Sequence, residues 1–374
     1  MNKISAEVWN YCVKIDKEYR KTNGKCMDMS TMQRAVKGCA KLHAKGIYHV
    51  YRKYMTARDA MFRSINAKHE NSNKVKLPYK IKKYFNTGWD YQSIVCNFNK
   101  GLIKLAKPMY KDSNGKLRRP ISVRCYTKEI PNNIVEIELL YKNGLYLAIK
   151  YKEENIQQLI QSNNSAAIDL GEIHSITSID SNSNAIIITG RKLRNIKRLR
   201  DKEQAKLRSK MTKCKKYSNQ YKKYNRALWN LKYKSERQIL DCIHKISKLY
   251  LDYCLQNNIK TVYYGDLDSC TRNTTERVGK FIGQKLNEWN YGELTRQLHN
   301  KLERYGIELI EISEAYTSQT CPACSKRHKP TGRNYICECG YIQHRDLVGA
   351  INIINFNTGS SIKQYSTYKY LRIE

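Results

Sequence analysis

Acidic residues are scarce in this chain: 33 Asp and Glu stand against 69 Lys and Arg in 374 residues, a formal net charge of +36. Long apolar runs are missing too, and none approaches the roughly 18 residues that a membrane span needs. The opening stretch, MNKISAEVWNYCVKIDKEYRK, holds no apolar core of signal-peptide length, which argues against secretion. There is no internal repeat, no phosphate-cradling GxxxxGK[ST] loop and no GxGxxG dinucleotide fingerprint. What is left is a chain that is 41% hydrophobic and 10% aromatic, enough to bury a core, and long enough for two or three domains. A Lys-rich solvated surface normally carries near-balanced acids. Here the bases outnumber them two to one, so a polyanion, nucleic acid foremost, is the expected partner.

The cysteines fit a reducing compartment with one metal site better than a disulfide framework. The 13 cysteines are odd in number, no signal peptide precedes them, and nine are scattered without paired spacing. The other four are clustered. Cys321-Pro-Ala-Cys324 is followed, after a basic loop, by Cys337-Glu-Cys339-Gly340. Four thiolates in two turn-bearing pairs match a tetrahedral zinc ribbon, with one structural Zn2+ adding folding energy to a segment that has little core. The second pair has one intervening residue, where two are usual. His328 and His344 lie nearby, and each reads better as a surface or supporting group than as a replacement ligand.

Periodicity divides the rest. Residues 1–100 read as a helical region, with Val8, Tyr11, Cys12 and Ile15 at helical spacing and a polar break at HENSNKVKLPYK. Within 101–165, ISVRCYT, IVEIELLY and GLYLAIKY alternate like strands between turn signals, which predicts a small β-barrel or meander followed by a linker. Residues 166–318 then run as three short strands (AAIDLG, HSITSID, NAIIITG), a charged helical hairpin at 191–253, a strand TVYYGDL, an amphipathic helix at 277–304 and a strand IELIEIS. The ribbon occupies 319–342, a closing helix 343–356, and 357–374 reads as a tail. This is the element order of an RNase H-type α/β fold, so the whole is expected to mix α+β and α/β domains.

The few acids fall at element ends. Asp169 closes the strand AAIDLG and Asp346 opens the helix HRDLVGAINI. These positions serve packing poorly but suit hard oxygen ligands of divalent ions, and two such ions would assist phosphodiester hydrolysis. A third carboxylate is expected from the fourth strand, whose end carries Gly265, Asp266 and Asp268. The fifth strand runs into EISEAYTSQT. Strands lie roughly 4.8 Å apart and Glu is one methylene longer than Asp, so Glu314 could reach the same site from next door. Glu314 is preferred here and Asp266 stays open.

The bases are concentrated. Residues 191–226 hold 16 Lys and Arg against two acids, Asp201 and Glu203. Arg191, Arg194, Lys197, Arg198, Lys215, Lys216, Lys222 and Lys223 are the expected phosphate contacts, strong and salt-sensitive but poor in sequence information. Interleaved Tyr217, Tyr221 and Tyr224 could stack on bases or simply belong to the core.

AIDLG, GDL, EAYTSQTCPAC and YICECGYIQHRDLVGAINI together resemble the RuvC and zinc-ribbon region of TnpB, the transposon-encoded RNA-guided nuclease related to type V CRISPR effectors and Fanzor. The resemblance is clear over about 100–356 and loose before that. It implies a wedge β-barrel with a helical recognition insert, then a RuvC domain interrupted by the ribbon. It implies catalytic Mg2+ (two ions) at Asp169 and Asp346, a guide RNA, and a double-stranded DNA target read by base pairing. No membrane partner is implied. The location would be cytoplasmic and nucleoid-associated in a prokaryote, or nuclear in a eukaryotic host. Two departures stand out. Many members carry Glu where this chain has Gly265, while a subgroup with Gly-Asp-Leu carries Glu before Tyr-Thr-Ser, matching Glu314. The chain also opens in a helix where the family opens on a wedge strand, so that first strand is expected to be missing. The rival expectations are an RNA-guided repressor that does not cut, and a zinc-ribbon DNA-binding protein without guide RNA.

Overall fold

Apolar residues at three-to-four spacing fold the N-terminal stretch into helices, α1 (Asn2–Asn23), α2 (Met29–Val36) and α3 (Ala44–Asn66). The computed structural model describes residues 1–66, 76–105, 121–124, 130–141, 144–152, 162–266, 291–313, 316–328, 330 and 332–373. Val8, Trp9 and Cys12 of α1 meet Val50, Tyr51, Tyr54 and Met55 of α3 in one apolar cluster. A buried ion pair ties the two helices and the loop between them. Asp16 accepts from Met27 N at 2.9 Å, from Tyr54 Oη at 2.9 Å and from Arg58 at 3.4 Å. An isolated buried charge would be costly, and these partners satisfy it.

Strands begin earlier than the periodicity predicts, at β1 (Thr87–Asp90), followed by β2 (Ile94–Asn97), β3 (Leu102–Leu105), β4 (Ile121–Arg124), β5 (Ile134–Tyr141) and β6 (Leu145–Tyr151). They form two antiparallel sheets, β1-β5-β6 and β2-β3-β4, over a shared core of Trp89, Ile103, Leu105 and Ile137. Of the barrel or meander expected, β2-β3-β4 form a meander, and among the described residues no pairing joins the two sheets into a barrel. These elements and α1–α3 belong to one compact unit, Met1–Glu154.

The second unit, Asn155–Glu374, is a three-layer α/β/α structure. Its strands β7 (Asn164–Asp169), β8 (His174–Asp180) and β9 (Asn184–Thr189) are consecutive and antiparallel. Two helices follow, α4 (Arg191–Thr212) and the 38-residue α5 (Asn219–Gln256), which form the expected hairpin. Next come β10 (Ile259–Gly265), α6 (Tyr291–Glu303) and β11 (Glu308–Ile312), and both strands add in parallel on the β7 side. The first part of the helix expected at 277–304 lies outside the described residues. β12 (Asn334–Ile336) and β13 (Ile342–His344) make a small antiparallel ribbon before α7 (Arg345–Thr358). The tail is not featureless: β14 (Thr367–Leu371) pairs in parallel with β9, giving the order β11-β10-β7-β8-β9-β14.

Alternation along β7 sets what the sheet presents. Ala166 and Ile168 enter the core beneath α5 and α6, with Ile243, Ile246 and Leu298, while Ala167 enters the core beneath α7, with Leu347 and Ile351. Asp169 therefore ends the strand on the α7 side.

Candidate functional site

The ribbon assembles as its spacing predicts. Cys321 Sγ and Cys339 Sγ are 3.7 Å apart, Cys324 Sγ and Cys337 Sγ 3.5 Å, and all four sulfurs lie within 4.8 Å of one another. A tetrahedral ion with bonds of about 2.3 Å puts its sulfurs about 3.8 Å apart, so the donor set fits zinc. Two tight turns deliver the pairs: Ser325 N donates to Cys321 O, and Gly340, at φ +85°, donates to Cys337 O. Burial pushes the Cys321 thiol up to about 12, a cost that a bound cation removes. Tyr335, Tyr341 and Val348 of α7 close the small core around the sulfurs. His328 does not join the four-sulfur group, and its Nδ1 lies 3.1 Å from Tyr335 Oη.

The carboxylates converge on the other side of α7. A Cβ at Gly349 would sit 2.6 Å from Asp169 Oδ2, so the Asp169 carboxylate rests directly against the helix at a position without a side chain. Asp346 stands three residues earlier on the same helix face, where neighbouring Cβ positions are about 5–6 Å apart. Two carboxylates from separate elements thus lie along one side of α7, and their oxygens are hard donors of the kind a divalent ion takes. Asp266 N donates to Ile312 O at 2.7 Å, so Asp266 continues the β10–β11 pairing. Next to Gly265, Tyr264 pairs with Ile168, next to Asp169, which puts the acid-free position of β10 beside the end of β7. Glu314 lies outside the described residues.

Two histidines that the sequence did not single out for this site surround Asp346. His174 Nδ1 is 2.8 Å from Asp346 Oδ2, and His344 Nδ1 is 4.0 Å from the same oxygen. His344 also caps α7 by accepting from Asp346 N at 3.3 Å. Burial alone would raise the Asp346 carboxyl, but the His174 hydrogen bond and the His344, His174 and Arg333 charges outweigh it and hold the group below its ordinary range. His344 is driven down by burial, with His174 and Arg333 opposing its charge.

The basic hairpin presents most of its expected contacts to solvent: Arg191, Arg198, Lys215, Lys216, Lys222 and Lys223 are exposed, Arg194 and Lys197 half-buried. Arg194 is paired with Glu172 at 3.2 Å. The segment's two acids are both engaged, Asp201 by Arg200 and Glu203 by Lys206. Tyr217 is 68% exposed with Lys216 Nζ 5.4 Å from its ring centre, whereas Tyr221 and Tyr224 are half-buried. Among the described residues no helix is long and apolar enough to cross a membrane.

Comparison with known proteins places this geometry. A family model described as "Probable transposase" matches residues 148–270, and one described as "Cas12f1-like, TNB domain" matches 291–353. A TnpB-like protein of Methanocaldococcus jannaschii is 28% identical over 189 residues, and a transposase-class protein of the same organism is 34% identical over 73 residues, 67% of its own length. The chain belongs to the TnpB family. A CRISPR-associated endodeoxyribonuclease Cas12f1 from an uncultured archaeon is 28% identical over 133 residues. The solved Cas12f1–sgRNA–target DNA complex contains a chain that superposes with a TM-score of 0.66 at 16% identity, covering 94% of this chain and 80% of that one, which shows a shared fold. The curated relatives are only partly spanned: 66% of the TnpB-like protein and 24% of the endodeoxyribonuclease.

Proposed function

We propose that this TnpB-family chain is an RNA-guided DNA endonuclease that cleaves target DNA at the carboxylate centre on α7. The observation that carries the reading is the seating of Asp169 against Gly349, one turn from Asp346, at the end of an RNase H-type sheet. Asp169 and Asp346 would hold divalent ions, with Glu314 as third acid and Asp266 as the alternative. Bound magnesium would supply charge neutralisation and an activated water for in-line attack on the scissile phosphate. Asp169 would bring its carboxylate from the sheet and Asp346 from the helix, so that the two cores fix their separation. The four-cysteine ribbon would hold zinc for structure, and the hairpin bases would grip guide RNA and target phosphates while base pairing reads sequence.

Expressed with its RNA and given magnesium and a matched plasmid target, the protein is expected to cut, and Asp169→Ala and Asp346→Ala to abolish cutting. Loss in Asp169→Ala with full cutting in Glu314→Ala moves the third acid to Asp266. Gly265, in the row where an acid would complete the site, favours a second reading, an RNA-guided binder that does not cut. Target binding without cleavage at any magnesium concentration selects it, and sequence-specific DNA binding by a protein purified free of RNA overturns both.

A further inference from the structure

His174 reaches Asp346 from 172 residues away, and simple strand alternation would point it elsewhere. Ile176, two residues on, lies in the core beneath α5 and α6, and residues two apart on a regular strand share a face. The β8–β9 register breaks at this point. His174 pairs with Thr189 and Ile176 with Ile188, so β8 carries one residue more than its partner, Ser175. Thr189 continues the row of Ala185 and Ile187, which face α7, and His174 therefore faces α7 too. A bulge of this kind re-aims a side chain.

The surroundings are built to keep the bulge. A Cβ at Gly190 would overlap Ser175 Oγ and come 2.9 Å from Glu172 O. The ring of His174 is 6% exposed and is flanked by His344, with centroids 5.0 Å apart, and by Tyr370 of the tail strand, edge-on at 5.9 Å and 88°. A disrupted ladder and a buried imidazole both cost stability, and together they place one hydrogen bond, that between His174 and Asp346. An ionised carboxylate only accepts hydrogen bonds, so the shared proton sits on His174 Nδ1.

We infer that His174 is a positioning residue for the Asp346 carboxylate, presented by the Ser175 bulge and braced from the C-terminal strand by Tyr370. Holding one carboxylate oxygen fixes where the other can point, and outer partners of this type typically govern metal affinity by 10–100-fold. The inference rests on the reading of Asp346 as a ligand for a divalent ion.

The test is binding of Mn2+ to the full chain without RNA, followed by the free-ion resonance signal, with Asp346→Ala as reference and zinc content as the check of fold. Asp346→Ala is expected to lose the site. His174→Leu keeps bulk without a donor and should weaken Mn2+ by 10–100-fold. His174→Asn restores a donor near the Nδ1 position and should recover most of that loss, while Tyr370→Leu should fall between wild type and His174→Leu. Wild-type affinity in His174→Leu beside a loss in Asp346→Ala overturns the positioning role alone. Wild-type affinity in Asp346→Ala overturns the ligand reading and this inference with it. If His174→Leu loses zinc, Tyr370→Leu decides, and unweakened Mn2+ binding there overturns the inference.

Discussion

The ribbon and the carboxylate centre flank the same helix but are built over very different spans of sequence. The ribbon draws four sulfurs from Cys321–Cys339 and closes on little more than Tyr335, Tyr341 and Val348. The carboxylate centre joins β7, β8 and α7, and the hydrogen bond between His174 and Asp346 spans 172 residues. The ribbon would make its own fold around a bound ion, since all four thiols are local. The other is imposed by two apolar cores that exist without any ion. They should therefore respond to damage in opposite ways.

Removing zinc is the severest test of that contrast. Structural zinc contributes about 10–16 kcal/mol of apparent binding energy in small domains, and the ribbon has almost no core to replace it. Cys321→Ser or chelation is expected to unfold 319–342. The damage should reach α7, because Val348 is buried in the ribbon core and Asn352 Nδ2 donates to Thr317 O and Thr320 O, both at 2.7 Å. Hydrogen exchange should show α7 opening in the cysteine variant. Wild-type protection of α7 there would make the two sites independent.

Asp169→Ala is the reverse case. It should abolish cutting yet leave zinc content and α7 protection unchanged, since Ala167, Leu347 and Ile351 still hold the helix to the sheet. Loss of zinc in this variant would show that the carboxylate supports the fold, and the contrast would collapse. Gly349→Ala is a milder change at the same place. The added methyl meets Asp169 Oδ2 at 2.6 Å, so the carboxylate must shift, at well under the ~1–3 kcal/mol of an overpacked core because only the end of a half-buried side chain has to move. Cutting should drop well before thermal stability does. Equal loss of both would mark the contact as packing alone.

The same contrast explains what could be read in the chain beforehand. Cysteine pairs are visible as spacing, even with the short Cys337–Cys339 interval, because all the ligands are local. The strands AAIDLG, HSITSID and NAIIITG were legible because they are buried almost throughout, and the parallel strands after them because their short apolar runs stand between turn signals and helical stretches. β1 and β2 are four residues long and lie in a stretch that reads as helical, too short for a period of two to declare itself. β14, TYKYL, carries little apolar signal because it adds to a sheet edge and stays largely exposed. His174 was hidden for a different reason. Alternation assigns it to the wrong face, and only the one-residue surplus in β8, visible once β9 is paired with it, turns it toward Asp346.

The smallest effect should come from the hairpin, where no single group is indispensable. Lys215, Lys216, Lys222 and Lys223 are exposed beside the turn between α4 and α5, with no local acid left to pair with, since Asp201 and Glu203 are engaged by Arg200 and Lys206. Arg194 differs, because its guanidinium already meets Glu172. If the lysines touch phosphates, Lys216→Ala should weaken nucleic-acid binding alike on all sequences and lower the slope of log K against log salt by about 1. Arg194→Ala should move the slope less, and cutting by the saturated complex should be unchanged in both. Binding titrations across a range of KCl concentrations measure this directly. An unchanged slope in each of the four lysine variants would mark this end of the hairpin as solvated surface and place the polyanion elsewhere on the chain.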